Sequence, residues 1–148
     1  MSPTQKISPI YSWWMISIAA LFFAYEFFLR VTPSIMTQEL MQAFKINATD
    51  VGLLSAYYFW TYTPMQLCVG VIMDHYKVRT LLVISVLICV LGAYWFFLGG
   101  SYTLAGIGRA LTGLGSAFGF VAVMKIAADW LPKKHFALIS GLTTTLGM

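Results

Sequence analysis

The sequence predicts an all-α integral membrane protein, on three observations. Apolar residues make up 59% of its 148 positions and charged residues 9%, with a mean hydropathy of +0.80. A soluble domain carries about 25% charged residues to cover its surface, so this chain has lipid as its solvent. Four apolar runs reach the roughly 20 residues that a ~30 Å hydrocarbon core demands. Lys and Arg gather in short loops between those runs, chiefly in alternate loops. The net charge of +4 is scattered over separate loops and forms no basic stripe, which excludes a nucleic-acid surface. Cys68 and Cys89 lie inside apolar runs and read as small buried hydrophobes.

Taken in order, residues 1–9 are a short polar tail. The first span covers residues 13–36, opening on the interfacial pair Trp13-Trp14, with Pro33 positioned to kink or end it. Lys6 ahead of residues 13–24 mimics a secretory leader. The run, however, continues through Phe22, Phe23, Tyr25, Phe27 and Phe28 with no small-residue cleavage site after it. Residues 37–50 form the most polar loop, where Asn47, Thr49 and Asp50 suit the cap of the next helix. The second span is 51–73 and the third 80–98, joined by the charged hairpin loop 70–79. Gly99-Gly100-Ser101 is a minimal turn, the fourth span is 104–130, and Pro132-Lys133-Lys134 breaks it. Residues 136–148 begin a fifth span too short to cross, so the chain is expected to be the start of a longer protein or a broken reading frame.

Counting Lys and Arg sets the orientation. Lys6, Lys77, Arg79, Lys133 and Lys134 fall on one side and Lys45 alone on the other, which places the N-terminus in the cytoplasm. In the second span, Ser55, Tyr58, Tyr62 and Gln66 recur at intervals of three and four, stacking on one helix face. That stripe serves either as hydrogen-bonding glue between helices or as the lining of a cavity. In the fourth span, Gly115 and Gly119 form a small-xxx-small pair suited to close helix packing.

Four ionisable residues fall inside predicted spans: Glu26 and Arg30 in the first, Arg109 and Lys125 in the fourth. Each costs about 2.5–3.5 kcal/mol at the bilayer centre, so each needs a partner or a watery cavity. Glu26 and Arg30 are one turn apart and fit a structural ion pair, or an Arg30 that reaches the outer headgroups. They fit equally an Arg30 that turns to a central cavity and offers its fork of donors to a carboxylate or phosphate. Arg109 reads either as bonded to backbone carbonyls or as a second ligand group, and Lys125 as snorkelling inward. Two deep cations against one acid leave a negative ligand to complete the balance.

These residues resemble the major facilitator superfamily of secondary transporters. Its hallmark between helices two and three is matched by Gly70, Asp74 and Arg79, with departures at His75, where Arg or Lys is usual, and at Lys77, where Gly is usual. Its hallmark on helix four, an Arg with Gly four and six residues on, is matched by Arg109, Gly113 and Gly115. The resemblance implies a twelve-helix protein of two six-helix halves, each built from inverted repeats around a midplane site. Residues 1–148 would then be a partial N-terminal bundle: the first four helices and the start of a fifth. It also implies that the Gly70/Asp74/Arg79 loop is a cytoplasmic gate and that Arg109 serves substrate or proton coupling. The run Ala128-Asp129-Trp130-Leu131-Pro132 is similar to the organic-anion branch, whose members place a substrate Arg late in helix one, where Arg30 stands. The patch Tyr57-Tyr58-Phe59-Trp60 is similar to an amino acid and dipeptide branch.

The expected function is alternating-access transport of a small organic anion or zwitterion across the cell inner (plasma) membrane. Arg30, Tyr25, Tyr58, Tyr62, Gln66 and Arg109 would contact the substrate, and Glu26 is the proton-coupling candidate. The expected partners are that solute, the lipid bilayer and the remaining helices of the same protein, with no nucleic acid, cofactor or metal. A non-functional remnant and a non-transporting membrane subunit are the alternative readings. An enzyme is not expected, because no Ser-His-Asp set or metal cluster lies at membrane depth and His75 and His135 are lone loop residues.

Overall fold

The computed structural model describes residues 9–98, 100–130 and 133–146. Six helices follow in order: α1 Pro9–Ile35, α2 Thr37–Phe44, α3 Ala48–His75, α4 Val78–Leu98, α5 Tyr102–Trp130 and α6 Lys133–Leu146. α1, α4 and α5 are long and apolar enough to cross a membrane, whereas the 28-residue α3 is long enough but more polar. Trp14, Leu21, Phe28, Trp60, Leu67 and Phe97 stand exposed, a surface suited to lipid.

The bundle is arranged around α5, which packs against α1, α3, α4 and α6. Its glycines explain how one helix serves several neighbours. Gly108 and Gly115 meet α4 at Gly92, Ser85 and Cys89, Gly113 meets α3 at Tyr58 and Thr61, and Gly119 meets α1 at Glu26. Without side chains at those points, backbones approach closely, and the Thr61 hydroxyl donates to the Ala110 carbonyl across the α3–α5 contact at 2.7 Å. The Gly115/Gly119 pair therefore does not serve one packing surface: its two members face different helices. An inner core gathers Phe23, Val69, Met73, Leu82, Phe118 and Ile126, and an outer one Leu40, Val51, Leu54, Phe96 and Ala105.

One local expectation is corrected and another narrowed. The polar connection 37–50 contains a helix, α2, because Leu40, Met41 and Phe44 recur at helical spacing and close over the outer core. It ends at Lys45, whose φ of 55° is the left-handed cap that Gly usually supplies. Pro33 does not end the first helix, which runs on to Ile35. The turn between α3 and α4 needs no Gly at position 77: Tyr76 is extended (φ −119°), and among the described non-Gly residues only Lys45 has positive φ. α3 begins at a capping box, with the Asp50 amide donating to Asn47 Oδ1 (2.9 Å) and the Asn47 amide to Asp50 Oδ2 (3.3 Å). The expected break at Pro132, the polar tail with Lys6, and Gly99, Gly147 and Met148 lie outside the described residues.

Candidate functional site

Pro33 builds the first part of the site by what it lacks. With no N–H, it leaves the carbonyl four residues earlier, that of Leu29, without its helical donor. An orphaned carbonyl at bilayer depth must find a donor inside the protein. Arg109 of α5 supplies one: its Nη1 donates to the Leu29 carbonyl at 2.5 Å and its Nη2 to the adjacent Arg30 carbonyl at 3.2 Å. Only 3% of Arg109 is exposed. Of the two readings of Arg109, the bond to backbone carbonyls is the geometry present, and its fork is occupied. A hollow of about 30 Å³ beside it, lined by Leu29, Thr32, Phe96 and Thr112, has room for a water and not for a substrate.

The polar stripe of α3 faces the same place. The Tyr58 and Tyr62 rings stack with centroids 5.5 Å apart. The Arg30 guanidinium lies 5.1 Å from the Tyr62 ring and 5.8 Å from the Tyr58 ring, and the Arg109 guanidinium lies 5.1 Å from Tyr58. Two cations thus flank one buried phenol, each drawing on its π face. Gln66 Nε2 donates to the Tyr62 hydroxyl at 2.6 Å, which orients the C-terminal end of the stripe. Ser55 returns its hydroxyl to the Val51 carbonyl of its own helix and stays out of the cluster. Tyr25 is also apart: 45% of it is exposed, and it makes none of these contacts.

Glu26 completes the cluster. It is fully buried, forms no ion pair with Arg30, and both of its oxygens lack a hydrogen-bond partner. The Tyr58 hydroxyl, Arg30 Nε and Arg109 Nε are likewise buried without partners. Buried polar atoms are satisfied in the great majority of cases, so orphans gathered around one ring need a reason. Beyond Tyr58, the Cys89 thiol lies 3.8 Å from both the Ser116 hydroxyl and the Thr112 carbonyl, a polar patch between α4 and α5 that sequence reading missed. Among the described residues, no three of His, Cys, Asp and Glu gather closely enough to hold a metal ion.

At the far end of α3, Asp74 accepts from Lys125 of α5 at 2.5 Å. Lys125, expected to snorkel, reaches this exposed carboxylate and so ties the two helices together. This hydrogen bond, and then the lysine's charge, hold the exposed Asp74 carboxyl below the usual carboxylate range. Gly70 has nothing within 4 Å of where a Cβ would stand, and Arg79 is exposed in the first turn of α4.

With its Gly-lined fourth span and charged hairpin, the chain belongs to the major facilitator superfamily. The family's sequence pattern, described as Major Facilitator Superfamily, matches residues 14–148. The chain is 30% identical over 131 residues to the uncharacterized transporter YybO of Bacillus subtilis (strain 168), a match covering 88% of this chain. It spans 30% of that relative's length. No solved structure matches it.

Proposed function

We propose that this chain forms the opening helices of a secondary transporter that works by alternating access on a small organic anion or zwitterion, coupled to protons. The supporting observation is the cluster of unpartnered buried atoms on Glu26, Arg30, Tyr58 and Arg109 around one stacked tyrosine pair. A carboxylate placed against Arg30 would satisfy its free donors, with Tyr58, Tyr62 and Gln66 shaping the rest of the seat. Arg109 serves the seat indirectly, by holding α1 against α5.

Coupling follows from charge. The positive charge of Arg30, one turn away, makes the Glu26 proton easier to lose. An anion on Arg30 cancels that charge, so the proton is held more tightly while the anion is bound and crosses with it. By linkage, a proton on Glu26 strengthens anion binding to the same degree. In this reading the Gly70/Asp74/Arg79 segment is the gate at the cytoplasmic end, and the Asp74–Lys125 pair opens as the helices move. The N-terminus is cytoplasmic in the cell inner membrane.

A thermal-shift screen of carboxylates, phosphates, amino acids and dipeptides on the complete protein tests the site. A stabilising compound whose effect disappears in Arg30→Ala is the expected result. A compound that stabilises Arg30→Ala as well as the wild type rules Arg30 out as its ligand.

A further inference from the structure

Gly119 and Glu26 are juxtaposed in a way that packing alone does not require. The three heavy atoms a Cβ at position 119 would meet first are all from one group, the Oε2, Cδ and Oε1 of Glu26. The other close-packed glycines of α5 differ. At Gly108 the obstacles are backbone atoms of Gly92 and Phe96, and at Gly113 they are the Tyr58 main chain and the Thr61 hydroxyl. Among the described glycines, only Gly119 has the end of one titratable side chain as all three of its nearest atoms. A carboxyl at the end of a side chain can swing away, whereas a main chain cannot. A Cβ here would therefore relocate the carboxyl and leave the helices in place.

Where the carboxyl would go is set by its neighbours. The ionisable groups that act on it are Arg30 on its own helix, Tyr58 on α3 and Cys89 on α4, with Tyr62 stacked on Tyr58 and Arg109 of α5 over the Tyr58 ring. The described side chains of α6 carry no ionisable group. Arg109 is tied to carbonyls, which leaves Arg30 as the cation able to receive the displaced carboxyl.

We propose that Gly119 is the seat of the coupling carboxyl: its missing side chain leaves the room that holds Glu26 off Arg30. Gly119 is a positioning residue. This rests on the reading of Glu26 as the proton carrier. Filling that room pushes the carboxyl toward Arg30, where the ionised form is favoured, so its proton leaves at lower pH.

The test needs no substrate. In the complete purified protein, the infrared C=O band of the protonated carboxyl, identified by its absence in Glu26→Gln, is followed against pH. Gly119→Ala is expected to lose that band about one pH unit below the wild type or more. Glu26→Asp in the Gly119→Ala background draws the carboxyl back by one methylene and is expected to recover at least half of the shift. A folded Gly119→Ala with an unshifted band overturns the inference. If Gly119→Ala fails to fold but the double variant folds, the clash lies at the carboxyl, as proposed. If neither folds, Gly119 is a helix-packing contact and the inference is wrong. Should Glu26→Gln remove no band at any pH, it is the proton reading of Glu26 itself that fails.

Discussion

Replacing Arg109 by Ala, alone and in a Pro33→Ala background, tests the link between the proline and the arginine. Arg109 makes two charge-assisted bonds to carbonyls, worth about 1.5–3 kcal/mol each, and lies over the Tyr58 and Phe96 rings for about 1 kcal/mol more. Removing it also removes a cation that costs roughly 3 kcal/mol to bury. The expected net loss is therefore about 1–4 kcal/mol. In the Pro33→Ala background a restored amide satisfies the Leu29 carbonyl, so Arg109→Ala leaves one fewer orphan. The loss should then shrink by about 1 kcal/mol. Unfolding of the purified complete protein in mixed micelles by increasing denaturing detergent gives all four free energies. If the two substitutions add within about 0.5 kcal/mol, Arg109 does not stand in for the missing amide and the argument fails.

Arg30→Lys keeps the charge but not the paired donors, so any anion that stabilises the wild type in the thermal-shift screen should bind at least tenfold more weakly by isothermal titration, a loss of about 1.4 kcal/mol. Lys125→Ala should return the Asp74 carboxyl toward its ordinary range. Because Asp74 is held low in the folded protein, the pair's contribution is present above that ordinary range, about 3.9, and fades as pH falls through the lowered value. The unfolding midpoint difference between wild type and Lys125→Ala should accordingly persist at neutral pH and close in strong acid; a difference unchanged in strong acid would assign the effect to the lysine stem. Gly108→Ala drives a Cβ into backbone atoms of Gly92 and Phe96 at 2.6 and 2.7 Å and should destabilise by roughly 1–2 kcal/mol. Gly52→Ala, with nothing within 4 Å, should gain up to about 1 kcal/mol by the same unfolding assay.

Much of this organisation can be read from residue order. Apolar runs locate the spans because lipid admits few alternatives. The stripe Ser55, Tyr58, Tyr62, Gln66 was legible from its spacing, and three of its four members meet at the cluster. α2 was missed although Leu40, Met41 and Phe44 carried its period, because the surrounding polar residues read as loop. The Arg109–Leu29 bond was half-written in the sequence: counting back four from Pro33 names the orphaned carbonyl, but its donor lies 80 residues away. Lys125 was read alone, because nothing in linear order places it beside Asp74. The seat of Glu26 was hidden for a similar reason: a glycine's spacing does not say which helix it faces, and here Gly115 and Gly119 diverge.

Flux in proteoliposomes tests the central claim most directly. The complete protein is reconstituted with the anion found by the thermal-shift screen, and uptake is driven by an inward proton gradient. Wild type should accumulate the anion while protons enter; Glu26→Gln should still exchange anion for anion but accumulate none. Equal accumulation by Glu26→Gln, or uptake indifferent to the gradient, would contradict the account.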